Sequence, residues 1–183
     1  MTGNWEYWGN VDLKELKTLY AAHKCQLLIN ESRQFLFKGR SISVTGIDDM
    51  IGGQADCLLA KQEITPSDLN LVLSHCPAHR DIIKHENGDD LRLDLILSGH
   101  THGGQINFFG LVPFKPRGSG NYLSGWYMEN GPPLYVSKGI GTSLIPLRCG
   151  ARAEVAVFEV EIYLALNFIA LTKCGDGIIR SLV

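Results

Sequence analysis

A mixed α/β domain is the fold class that the sequence predicts, and three observations carry it. Leu71-Val72-Leu73-Ser74-His75 and Leu95-Ile96-Leu97-Ser98-Gly99-His100 are near copies, each an apolar run closed by a serine and a histidine. Continuous apolar runs of this kind fit strands buried on both faces. The connection between them holds one helical segment, residues 78–85, and is long enough to cross over between parallel strands. Elsewhere, short apolar runs bounded by turn residues make strands outnumber helices.

Taken in order, the chain opens on Gly3-Asn4, followed by Trp5, Tyr7 and Trp8, which read as aromatic packing after a turn. Residues 11–24 predict an amphipathic helix, with Leu13, Leu16, Leu19 and Tyr20 on one face, Asn10 as N-cap and Lys24 in the last turn. Residues 25–30 read as a short buried strand. Residues 35–38 and 41–47 predict a hairpin about Lys38-Gly39-Arg40. Residues 54–62 suit a helix that ends before Pro66. Parallel strands at 71–75 and 95–100 would deliver His75 and His100 to one carboxyl edge, where open α/β sheets place ligands. Residues 108–131, rich in Gly, Pro and aromatics, read as a long loop forming a lid or substrate wall. Residues 134–137 and 154–160 alternate as strands. From Glu161 onward the alternation fades, so the domain is placed at residues 1–160, and 161–183 carry no assignment. The apolar stretch 163–171 is broken by Asn167 and is too short to span a bilayer. It reads as a terminal buried helix or strand.

At 183 residues the chain is large enough to bury one core unaided. A net charge of −2 gives no electrostatic argument for nucleic acid or an anionic membrane. The five cysteines (Cys25, Cys57, Cys76, Cys149, Cys174) are scattered without a C-x-x-C pair, which suits reduced thiols in a cytoplasm. No secretory leader is visible at the N-terminus, so a cytoplasmic location is expected. Membrane association would need an anchor in a segment outside this chain.

The densest chemistry lies in Ser98-Gly99-His100-Thr101-His102-Gly103-Gly104-Gln105. Two imidazoles at i and i+2 on extended backbone would point to one side, and the flanking glycines allow a sharp turn and close approach. His-x-His alone occurs by chance in surface loops. Its weight comes from its companions, Gly3-Asn4 and Ser74-His75.

This order of motifs resembles the C-terminal half of the calcineurin-like metallophosphoesterases, in which Gly-Asn-His-Asp/Glu, a lone histidine after a strand, and Gly-His-x-His follow one another. The resemblance continues through Gly46-Ile47-Asp48-Asp49, Ser124-Gly125-Trp126-Tyr127, the 137–143 segment and Pro146-Leu147-Arg148, and ends near Val160. It is nearest to the bacterial branch that includes membrane-associated and nucleotide-sugar-lipid phosphoesterases. It implies a two-sheet β core flanked by helices, and two divalent metals (Mn, Fe or Zn) that activate a bridging hydroxide toward a small phosphorylated substrate. It assigns Asn4, His75 and His100 to one metal and His102 to the other.

The sequence also departs from the family. Asp-x-His and Gly-Asp-x-x-Asp, which supply the second metal's other ligands, have no counterpart here. The chain is therefore expected to lack the N-terminal half of the domain. The histidine after the asparagine, to which the family gives a proton-donating role, is Trp5, whose indole is no acid near neutral pH. Three functions follow: a truncated phosphoesterase; a binding or regulatory pseudoenzyme of the same fold; and a hydrolase with one metal on Asn4, His75, His100 and His102. His23, His79 and His85 read as solvated histidines, Cys76 as a small buried residue, and Asp48-Asp49 as a turn-forming pair. Arg148 resembles a position near the substrate loop.

Overall fold

The structure is a computed structural model that describes residues 1–61, 67–87, 92–163, 168–173 and 179–181. Helix α1 (Asn4–Trp8) follows Gly3 directly. The second helix, α2 (Leu13–Ala22), is shorter than the 11–24 expected, because Asn10 and Lys24 both take positive φ (52° and 59°). Its N-cap is Asp12 rather than Asn10: the carboxylate accepts the N–H groups of Lys14 (2.8 Å) and Glu15 (3.2 Å).

Residues 25–30 form no strand. Leu27 and Leu28 are buried there as side chains only, and Asn30 turns the backbone at φ 52°. The strands begin with β1 (Glu31–Phe37) and β2 (Arg40–Gly46), an antiparallel hairpin. Its turn residues Lys38 (φ 48°) and Gly39 (φ 77°) supply the two positive φ values of a tight hairpin turn. Helix α3 (Cys57–Lys61) covers part of the segment expected at 54–62, and Gln62 lies outside the described residues.

Strand β3 (Leu69–Leu73), helix α4 (His79–Asn87) and strand β4 (Leu95–Ser98) form the expected crossover, with β3 parallel to β4. The region expected as a bare loop at 108–131 contains a short strand, β5 (Gly125–Tyr127), which pairs antiparallel with β6 (Leu134–Val136). The six-stranded sheet has the order β1-β2-β3-β4-β6-β5. Strands β2, β3, β4 and β6 run parallel, so their carboxyl ends share one edge. A second, antiparallel sheet consists of β7 (Phe158–Tyr163), β8 (Phe168–Lys173) and β9 (Ile179–Ser181). The boundary placed at residue 160 thus falls inside β7, and residues 154–157 precede the strand. Strands occupy part of the segment given no assignment.

The main core lies on one face of the large sheet. Ile47, Val72, Ile96, Leu134 and Val136 pack there against Ile83 of α4 and Cys57 of α3. Burying each large aliphatic side chain stabilises the fold by about 1.5–3 kcal/mol. The opposite face buries Leu69, Leu95 and Tyr135, while Leu71, Leu97 and Trp126 remain only half-buried. Among the described residues no helix is long and apolar enough to cross a membrane. Cys25, Cys76 and Cys149 are free thiols, Cys57 is buried, and Cys174 lies outside the described residues.

Candidate metal centre

Three of the four expected ligands meet at the carboxyl edge. His75 sits two residues beyond β3, and His100 two residues beyond β4. Asn4, in the first turn of α1, is buried beside them. Its Oδ1 lies 2.9 Å from Nε2 of His75 and 3.2 Å from Nδ1 of His100, and the two ring nitrogens are 3.1 Å apart. The imidazoles meet edge to face, with centroids 4.8 Å apart.

Hydrogen bonding fixes what these atoms present. Nε2 of His100 donates to the carbonyl of Arg117 at 2.7 Å, so in the neutral ring Nδ1 presents its lone pair toward Asn4 and His75. An amide oxygen and an unprotonated ring nitrogen are both acceptors. At most one N–H, on His75, can serve the three atoms, so a cation suits the space between them. Donor separations of about 3.0–3.4 Å are what bonds near 2.1 Å to one ion require at right or tetrahedral angles. Burial, and then the neighbouring His100, push the His75 pKa down to about 4, which keeps its imidazole neutral and able to ligate. The residues present therefore fit a divalent ion. Among the described residues no three His, Cys, Asp or Glu side chains gather to hold a metal, and the cluster here owes its third member to an amide.

The turn that carries His100 and His102 is not extended, contrary to the sequence expectation. His100 (φ 66°) and His102 (φ 53°) both occupy the left-handed region, with Thr101 (φ −74°) between them. His102 opens a 3₁₀ turn, His102–Gly104, that hydrogen-bonded neighbours hold in place. It makes no hydrogen bond to the Asn4, His75 and His100 cluster, and its Nδ1 is buried without a partner. It lines a largely apolar cavity of about 230 Å³ together with Gln105, Phe114, Leu144 and Ile145. Burial, followed by the charge of Arg148, holds the His102 pKa below its ordinary value.

Arg148 supports this turn. Its guanidinium donates to five carbonyls: His102 (3.1 Å), Lys138 (2.9 Å), Gly139 (3.1 Å), Gly141 (2.5 Å) and Ala151 (2.7 Å). All its donors are spent on backbone.

Asp48 does the same for Asn4. Buried at the end of β2, it accepts the hydroxyls of Thr2 and Tyr7 and the N–H groups of Asp49 (2.8 Å) and Gln54 (2.9 Å). A five-residue helix such as α1 does not hold itself together. Asp48 pins it on both sides of Asn4. Asp49 is turn-forming, as expected, accepting the N–H groups of Ile51 (2.9 Å) and Gly52 (2.7 Å). Gly3 leaves room for the cluster, since a Cβ there would fall 2.9 Å from Cε1 of His75.

Trp5 is half exposed and meets Trp8 edge to face at 5.4 Å, so it belongs to an aromatic pair. His79 is a correction: it is buried at the start of α4, 3.3 Å from the Ser74 hydroxyl, because α4 packs its first turn onto the sheet. His23 and His85 are exposed and Cys76 is buried, as expected. The anchoring roles of Asp48 and Arg148 were not legible in sequence. The only hint was an Asp-Asp pair one residue beyond a strand ending in glycine.

Among relatives, the chain is 32% identical over 128 residues to the uncharacterized metallophosphoesterase YkuE of Bacillus subtilis, covering 69% of this chain and 43% of that protein. It is 32% identical over 136 residues to the phosphodiesterase YaeI of Escherichia coli, covering 73% of this chain and 47% of YaeI. The chain belongs to the calcineurin-like metallophosphoesterase family. A further relative is the uncharacterized protein YpbG of Bacillus subtilis, 34% identical over 154 residues, covering 82% of this chain and 55% of YpbG. The chain spans about half the length of the curated relatives it matches. No protein-family model matches it, and no solved structure does. Its mixed sheet flanked by helices agrees with the metallophosphoesterase fold.

Proposed function

We propose that the chain forms part of a metal-dependent phosphoesterase for small phosphoester substrates. The observation that carries this reading is the convergence of Asn4 Oδ1, His75 Nε2 and His100 Nδ1 within 2.9–3.2 Å of one another. These three residues would hold one divalent ion (Mn, Fe or Zn), and His102, with its buried unpartnered Nδ1, would serve a second. A pair of such ions supplies an activated hydroxide and charge neutralisation for phosphoryl oxygens. The remaining ligands of the second ion would come from residues outside these 183.

The chain's own residues do the preparatory work. The Arg117 carbonyl fixes the His100 tautomer, Asp48 seats Asn4, and Arg148 holds the turn of His102. No proton donor stands where the family carries its histidine, since Trp5 faces solvent against Trp8. That observation favours a second reading, a pseudoenzyme that binds phosphoesters without turning them over. Metal content per chain, measured on freshly purified protein, tests the shared premise. At least one tightly held ion is expected, lost in His75→Ala and His100→Ala. A metal-free wild-type chain that takes up no Mn would overturn both readings.

A further inference from the structure

The loops that wall the His102 cavity expose a concentration of apolar side chains that folding does not explain. Residues 108–111 close on themselves: Phe108 N–H donates to Leu111 O at 3.0 Å, and Leu111 N–H donates back to Phe108 O at 2.9 Å. At the tip, Phe109 (φ 52°) and Gly110 (φ 95°) both take positive φ. Tight turns of this kind favour asparagine or glycine, and a phenylalanine in the left-handed region is strained. Yet Phe109 is fully exposed, so neither burial nor local preference offsets that strain.

Phe108, Leu111 and Phe114 on the same loop are exposed as well, and so are Leu144 and Ile145 across the cavity. The two loops form one surface. Asn107 N–H donates to Cys149 O (2.8 Å), and the Gln105 side chain joins Ser143 N–H (2.7 Å) and Ile145 O (2.6 Å). Apolar patches of this extent on an otherwise ordinary surface mark interaction sites.

The charges beside the patch say which partner fits. The whole chain carries −2, but residues 101–124 contain Lys115 and Arg117 and no Asp or Glu, and residues 139–153 contain Arg148 and Arg152 and no Asp or Glu. Lys115 and Arg117 are exposed directly after Phe114. Aromatic and aliphatic tips bordered by cations, with no acid among them, match the boundary between acyl chains and anionic headgroups.

We propose that the 108–114 and 140–147 loops dock this protein on an anionic lipid surface. Phe109 and Leu144 enter the acyl boundary while Lys115 and Arg117 lie at the phosphates. The carbonyl of Arg117 touches His100, so docking would set the histidine cluster beside the headgroup plane. The surface and its test stand apart from the phosphoesterase reading, because lipid binding needs no metal and no turnover.

Cosedimentation of the 183-residue chain with vesicles of phosphatidylcholine, with and without phosphatidylglycerol, tests the proposal. Binding is expected on the phosphatidylglycerol vesicles and is expected to weaken with salt. Phe109→Ser should lower it by about tenfold or more. Lys115→Glu should lower it by at least about fivefold. Both positions are exposed, so the melting temperatures of the variants should match the parent, which separates lost docking from lost folding. The proposal is overturned by equal partitioning to both vesicle types, or by binding that survives Phe109→Ser. It is equally overturned by a dimer in sedimentation that Phe109→Ser dissociates, since a second copy would then cover the patch. Capture of the patch by a protein with no affinity for vesicles would also defeat it.

Discussion

The phenol of Tyr7 donates its hydrogen bond to the carboxylate of Asp48, tying a five-residue helix to the end of a central strand. Burial alone would raise the Asp48 pKa, but the hydrogen bonds from Thr2, Tyr7 and two backbone N–H groups outweigh it and leave the pKa lowered. A carboxylate with a depressed folded pKa stabilises above its unfolded value and loses that contribution as pH falls through the folded one. Acid unfolding is therefore expected to begin below about pH 4. Asp48→Asn should remove that acid sensitivity and cost about 2–4 kcal/mol in urea unfolding, because it leaves buried donors unpaired.

Tyr7 should report the same contact. Burial, then its bond to Asp48, push its pKa up to about 12. In Asp48→Asn the Tyr7 titration, isolated by difference from Tyr7→Phe, is expected to return toward about 10. An unchanged titration would mean that the bond does not form in solution.

Gly3→Ala is expected to weaken metal uptake with little effect on stability. The added Cβ would press on the His75 ring at 2.9 Å, and the ring can yield only by moving its Nε2 away from Asn4. Titration calorimetry with Mn should show a loss of about tenfold or more, in the range for disturbed support of a metal ligand.

Arg148→Lys should behave almost like Arg148→Ala. One ammonium offers three donors from a single point, whereas five carbonyls surround the planar guanidinium. Both variants are expected to lose about 2–4 kcal/mol in urea unfolding. Both should also lose the ordered His102 ring signals by NMR. Full rescue by lysine would show that charge rather than geometry matters at this position.

Trp5→His separates the two functional readings. With the upstream segment of a relative supplied in trans, the variant should raise Mn-dependent hydrolysis of an aryl phosphate by about 10²-fold, as a restored general acid does. No gain over the parent would favour the pseudoenzyme.

Particular residues show what the sequence disclosed and why the rest stayed hidden. The twin Ser-His runs announced β3, β4 and their parallel pairing, because periodicity and length are local properties. They also brought His75 and His100 to one edge, and the leading Gly-Asn placed Asn4 beside them. The φ values of His100 and His102 were not legible. Nothing in His-Thr-His favours left-handed backbone, and the conformation is imposed by hydrogen bonds from distant residues, Arg148 among them. Helix α1 was missed for a similar reason, since five residues hold too little helical pattern and its support comes from Asp48. His79 read as solvated because its neighbours are polar, whereas its burial depends on how α4 sits on the sheet.

The left-handed turn at His100 and His102 also bears on which ion the site would choose. Strained backbone persists only where the surrounding fold over-determines it, and here Arg148 holds the His102 carbonyl while the Arg117 carbonyl holds the His100 ring. On the proposed reading, these protein hydrogen bonds hold the backbone and ring that would meet the ion, so binding spends little of its free energy on ordering ligands. A rigid trio of two imidazoles and an amide also lacks the thiolates or carboxylate cage that would reject one first-row ion in favour of another. Occupancy would then follow supply: the ion recovered with the protein should track the growth medium, and swapping manganese for zinc in the culture should swap it in the product.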